Sequence, residues 1–218
     1  MKELKYENFF STPIYRVEKP EWLSTINKAC DPLLKKAKKD NDILFKKRDK
    51  LYKIKKGDFG WTHHTGSLVN LRGLEDLQYF IGESSDQLLK DMGYDTSKYI
   101  LTITEFWAQE FSRLGAGHHD AHCHYDNHVS GFYFLKCSPR TSYPVFHDPR
   151  AGKLMAQLPM KNPKDLSSGV DRIHVTPSPG TFIMFPAYLT HQFTVDLGVD
   201  PFRFIHFNIQ AVRKFSNG

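Results

Sequence analysis

The chain has 218 residues, a net charge of +6 and 40% hydrophobic content, ordinary globular values that exclude a disordered or fibrous protein and leave room for a sizeable core. No apolar run approaches the roughly 20 residues of a membrane-spanning helix. Met1 to Glu7 does not read as a signal peptide, and Cys30, Cys123 and Cys137 form an odd set with no CxxC pair. Reduced thiols in a cytoplasmic protein are therefore expected.

Residues 9 to 19 read as a short strand, after which Pro20 and Glu21 open a helix to about Lys39, proline being well placed where its missing donor is not needed. The positive charge is concentrated just beyond. Residues 35 to 56 hold eleven Lys or Arg against three Asp, a local balance of +8 that leaves the rest at −2. A solvated helix face and loop accounts for such a run, and attraction of nucleic acid is the alternative. A second helix is predicted over Leu74 to Met92, with Leu74, Leu77, Phe80, Ile81, Leu88 and Leu89 as its apolar stripe and Gly93 as its stop.

From Tyr99 onward the pattern changes to short extended segments separated by Gly, Pro, Asp and Asn, as in an antiparallel sandwich or barrel. Strands are expected at Ile100 to Phe111, Ala121 to Tyr125, Val129 to Lys136 and Pro144 to His147. Four more are expected at Arg172 to Thr176, Gly180 to Phe185, His191 to Val195 and Phe202 to Val212, with a loop excursion over 149 to 170. The simplest architecture is a single domain over 1–218, in which a mainly helical N-terminal region (1–98) packs outside a β-barrel core (99–218).

Residues His118 to His128 contain five histidines and two aspartates. If the second half of this stretch is extended, His122, His124, Asp126 and His128 point the same way. A nonhaem iron site needs three protein ligands on one side of the metal. Three close pairs offer themselves: His118 with Asp120, His122 with His124, and His124 with Asp126. His191, which follows a turn, a buried strand and a second turn, is the candidate for a third ligand from a distant strand, a hydrogen-bonded core or surface imidazole being the alternative.

Further on, Arg203, Ile205, Phe207 and Ile209 share one strand face. An unpaired buried charge costs several kcal/mol, so Arg203 must reach solvent or meet an anion. A guanidinium grips carboxylates with paired hydrogen bonds, which makes a dicarboxylate co-substrate a natural partner and an internal salt bridge the alternative.

In order along the chain stand Phe10-Ser11-Thr12-Pro13-Ile14, Glu105-Phe106-Trp107, His122-Cys123-His124, Ser130-Gly131-Phe132-Tyr133-Phe134-Leu135, Phe146-His147-Asp148-Pro149-Arg150, Phe185-Pro186 with His191, and Arg203 with Phe207-Asn208. This series resembles the 2-oxoglutarate and iron(II) dependent oxygenase superfamily, in its uncharacterised phage and bacterial branch related to prolyl hydroxylases. The resemblance implies a double-stranded β-helix, a jelly-roll or cupin-like barrel with flanking helices. It implies Fe(II) held by His122, His124 and His191, with Asp126 as competing ligand or as an acceptor that orients an imidazole. Arg203 would bind the distal carboxylate of 2-oxoglutarate. Tyr133 would bond the same co-substrate, unless Phe134 occupies that place and Tyr133 is packing. Trp107 and Arg150 would be pocket or substrate-loop residues, the alternative being a core tryptophan and a surface arginine.

The implied activity consumes O2 and 2-oxoglutarate, releases succinate and CO2, and hydroxylates a protein side chain or small metabolite. The rivals are a cupin-like metal-binding protein holding zinc or nickel without oxygenase activity, and a nucleic-acid-associated protein using the basic 35–56 segment.

Overall fold

The computed structural model describes residues 5, 7, 9–53, 62–113, 116–155, 158–162 and 164–214. Strand β1 (Tyr15–Glu18) leads through a 3-10 turn at Pro20–Trp22 into helix α1 (Leu23–Tyr52), so the proline does open the helix. The helix is longer than its apolar stripe suggested. Ile26, Cys30 and Leu34 are its buried residues, and the basic run continues it as an exposed second half. Residues 54–56 of that run lie outside the described residues. Strand β2 (Thr62–His64), which was not expected from the sequence, precedes α2 (Glu75–Asp91), whose buried stripe includes Leu77, Ile81, Leu88 and Leu89.

The remaining strands are β3 (Tyr99–Phe111), β4 (His119–His122), β5 (Val129–Lys136), β6 (Pro144–His147), β7 (Arg172–His174), β8 (Thr181–Pro186), β9 (His191–Phe193) and β10 (Arg203–Arg213). Each falls within a residue or two of its expected position. Strand β4 is the exception that matters, because it starts at His119 and ends at His122. The excursion between β6 and β7 carries one 3-10 turn, Ala151–Met155.

Two antiparallel sheets form, one in the order β1-β8-β5-β10-β3-β2 and the other in the order β4-β9-β6-β7. Both faces of the larger sheet are covered. Its outer face, with Tyr133, Leu135, Ile205, Phe207 and Ile209, packs under α1 and α2. Its inner face, with Phe132, Phe134 and Phe204, meets Phe146 and Phe193 of the smaller sheet. A strand buried on both sides reads as an almost unbroken apolar run, which is why β5 is buried from Val129 to Leu135.

Gly131 sits where this packing is tightest. A Cβ there would come within 2.2 Å of the Phe207 ring and 2.5 Å of the Ile183 carbonyl. Among the described residues no helix is long and apolar enough to cross a membrane.

Candidate metal centre

The inner faces of the two sheets bring His122, His124 and His191 together. His191 opens β9 directly after the turn closed by Leu189 N–H to the Pro186 carbonyl, 2.9 Å, and is opposite His122 in the β4–β9 pairing. His124 follows the end of β4, its backbone N–H bonded to the Ala187 carbonyl at 3.0 Å. The ring centroids are 4.5 Å apart for His122 and His191, and 5.1 Å apart for His124 with either neighbour. One ring nitrogen from each can be chosen so that all three lie within 4.8 Å of one another.

The rings are held from behind. Nδ1 of His122 is 2.6 Å from the Asp120 carbonyl, and Nδ1 of His191 is 3.0 Å from that of Leu189. A carbonyl can only accept, so the hydrogen is on Nδ1 and the Nε2 lone pair is left for a cation. Burial pushes the His191 imidazole down to about 2 and that of His124 to about 3. Both are therefore neutral at physiological pH, the form that ligates a metal. Nε2 of each is buried without a hydrogen-bond partner, which is costly unless something binds there.

Several expected site residues lie elsewhere. Asp126, the competing ligand, sits in an exposed turn with φ of 60°. The extended conformation that would have aligned it with His124 ends at β4, so it falls outside the cluster. His128 is exposed, its Nδ1 accepting the Ala211 N–H at 3.1 Å. His118 lies at the surface beside Asp120, 3.8 Å away. His119, expected in a surface loop, instead packs its ring against Phe111, Phe193 and Phe204, and burial holds its pKa down at about 3. The irregularity between His119 and His122 in the β4–β9 register lets two residues three apart both turn inward.

The two residues expected to bind 2-oxoglutarate both point to the helix-covered face. Arg203 is 4% exposed and its guanidinium lies 2.6 Å from Glu110 and 2.6 Å from Asp31 of α1, with Asn27 Oδ1 at 2.9 Å. The internal salt bridge is what the fold builds. Lys136 adds to the positive charge holding the Asp31 carboxyl down, so its charge also bears on this side. Tyr133 packs against Trp22 and donates its hydroxyl to the Lys19 carbonyl at 2.7 Å. Phe134, one residue on, takes the inward place.

The inner face of β10 instead carries Phe204, His206 and Asn208. Alternation opposite to Arg203 was the signal that could have found them. His206 packs at a tilt among Trp107, His124 and Phe132, with centroids at 4.7, 4.7 and 5.5 Å. Trp107 is thus an inward residue. Ser130 Oγ and both amide atoms of Gln109 are buried here without partners. A cleft of about 500 Å³ opens beside Phe146 and Leu189, with Phe10, Ile14, Arg172 and Ile173 among its lining. Arg150 also lines it, bonded to Asp148 and the Ser168 carbonyl.

Residues 105–204 match the family described as "Putative 2OG-Fe(II) oxygenase". Solved structures with a similar fold include AviO1 from Streptomyces viridochromogenes Tue57, at 10% identity and a TM-score of 0.57, covering 91% of this chain and 90% of that one. A Trichoplax adhaerens prolyl hydroxylase, in complex with a hypoxia inducible factor oxygen degradation domain peptide fragment, has 10% identity and a TM-score of 0.54 over 90% and 83%. A Pseudomonas putida prolyl-4-hydroxylase has 8% identity and a TM-score of 0.52 over 92% and 94%. At these identities the likeness is one of fold, the double-stranded β-helix. No curated protein matches the chain in sequence.

Proposed function

We propose that this chain, whose residues 105–204 match the 2OG-Fe(II) oxygenase family, is a 2-oxoglutarate and iron(II) dependent oxygenase hydroxylating a protein side chain or small metabolite. The observation that carries this reading is the convergence of His122, His124 and His191, with two buried Nε2 atoms lacking partners. Three imidazoles fit Fe(II), although the set lacks the carboxylate of the commoner two-histidine facial triad.

The family also implies 2-oxoglutarate and O2 as co-substrates. Arg203 and Tyr133 point to the helix-covered face, and among the described residues we assign the carboxylate of the co-substrate to two inward groups without partners, Ser130 Oγ and the Gln109 amide. Bound together, iron(II) and 2-oxoglutarate supply the oxygen-activating chemistry of the superfamily, with succinate and CO2 as co-products.

The chain's own residues orient and shield. The Asp120 and Leu189 carbonyls fix two imidazoles through Nδ1, an arrangement whose loss typically costs metal affinity. Phe132, Phe146 and Phe185 surround His191, with centroids at 5.5, 6.1 and 4.8 Å, and keep water from one side of it. The cleft beside Phe146 and Leu189 is the approach we assign to the substrate.

The test is anaerobic titration with Fe(II) and 2-oxoglutarate, followed by exposure to air. A visible charge-transfer band and formation of succinate are expected in the wild type and absent in His191→Ala. A wild-type protein that gives neither band nor succinate would sink this reading.

A further inference from the structure

His206 is an inward-facing histidine that this activity leaves unused. The residue is 1% exposed, and its buried Nε2 faces Oε2 of Glu105 at 3.3 Å. The other side of the ring is engaged by the Gly131 backbone. With one ring nitrogen engaged by the Gly131 backbone, a neutral imidazole turns its lone pair toward the half-exposed Glu105 carboxylate, and two such acceptors take either a proton or a metal cation between them. At metal–nitrogen and metal–oxygen bond lengths of about 2.0–2.2 Å, neighbouring ligands of one ion lie roughly 3 to 3.5 Å apart. The separation of Glu105 and His206 falls in that range.

We propose that Glu105, His124 and His206 form a second divalent-cation site, sharing His124 with the His122–His124–His191 set. One donor atom from each of the three lies within 4.8 Å of the others. Two imidazoles and a carboxylate suit a borderline transition metal such as Zn(II), Co(II) or Fe(II) rather than Ca(II) or Mg(II). His124 has two ring nitrogens, one for each ion, and bridging in this way releases its ring hydrogen to solvent as a proton.

Asn208 stands beside the site. Its Nδ2 donates to Glu105 at 2.9 Å and to His124 Nδ1 at 3.1 Å, while its buried Oδ1 has no partner. A half-turn of the amide exchanges the two atoms and makes Oδ1 a fourth donor. Glu105 is 48% exposed on its side chain, so an ion enters from that end without crossing the packed phenylalanines.

The experiment is anaerobic loading with Co(II), desalting, and counting of bound metal per chain by mass spectrometry. Wild type should retain two ions, Glu105→Gln and His206→Gln one each, and His191→Ala one. Glu105→Gln keeps the shape of a half-exposed side chain and so guards against loss of folding. Loading with Cu(II) reads the bridge itself: magnetic coupling should suppress the wild-type electron paramagnetic signal and Glu105→Gln should restore it. One ion in wild type that Glu105→Gln leaves in place overturns the proposal, as does retention of two ions in both Glu105→Gln and His206→Gln. Two uncoupled Cu(II) ions overturn the shared histidine. One ion in wild type, lost in Glu105→Gln and kept in His191→Ala, supports this site while sinking the three-histidine reading.

Discussion

The amide nitrogen of Asn208 lies 3.1 Å from Nδ1 of His124, so a residue on β10 orients an imidazole that follows β4. Replacing it with Leu removes that steering and leaves His124 free to rotate. Groups that orient a ligand typically contribute 10- to 100-fold in metal affinity. Asn208→Leu should weaken Fe(II) or Co(II) binding by roughly that factor, measured by competition with a chromophoric chelator. Unchanged affinity would show that the hydrogen bond does not matter for loading.

His191 and His119 are both inward histidines with strongly lowered pKa values, but their surroundings predict different losses. His191→Ala should cost Fe(II) affinity by more than roughly 100-fold, beyond the effect of an orienting group. His119→Ala removes a ring packed on Phe111, Phe193 and Phe204 and should lower stability by roughly 1–3 kcal/mol with metal content intact. Parallel metal analysis and thermal melts separate the two. Equal metal loss in both would add His119 to the ligand set.

Arg203 is a structural ion-pair centre. Its removal leaves Glu110 buried without its guanidinium, so Arg203→Ala should cost about 3 kcal/mol, the lower end of the range for broken buried pairs because Asp31 is largely exposed. Denaturant unfolding measures this. Metal affinity per folded molecule should be unchanged.

The same cluster makes a prediction about acid. The hydrogen bond to Arg203 lowers the pKa of Asp31. Glu110 is lowered by Lys38 and Arg203 against the opposing effect of burial. A depressed carboxyl contributes stability that is present above its unfolded pKa, near 4, and lost as pH falls through the folded value. Wild-type stability should therefore decline below about pH 4, and Arg203→Met should decline less steeply over the same window. Identical acid limbs would show that Arg203 does not carry this linkage.

Tyr133 tests which face of β5 binds anything. Tyr133→Phe deletes one hydrogen bond to the Lys19 carbonyl, for a cost of about 1 kcal/mol, and should leave 2-oxoglutarate affinity unchanged. Gly131→Ala in the same strand forces a methyl group against a backbone carbonyl and the Phe207 ring. It should cost about 3 kcal/mol or more, or prevent folding. Urea midpoints check both.

The element pattern was readable because each sheet strand carries its own turn punctuation and apolar run. His122, His124 and His191 were candidates because histidines cluster at 118–128 and their order along the chain resembles a known series. Glu105 and His206 were harder to see, since one is a half-exposed carboxylate and the other an isolated histidine between apolar residues, and nothing local joins two positions so far apart in sequence. Asp126 was a candidate only while the chain was taken as extended past His122, and the turn with a left-handed Asp126 ends that alignment.

What the sequence determined by itself was the strand periodicity, including the fact that Arg203, Ile205, Phe207 and Ile209 share one face. Which face is the inside was decided by the tertiary structure. The larger sheet is buried on both sides, by helices on one and by the smaller sheet on the other, so hydrophobicity marks both faces alike and alternation alone cannot tell them apart. Docking of α1, which brings Asn27 and Asp31 to the guanidinium, assigns Arg203 to the scaffold and turns His206 and Asn208 toward the histidines.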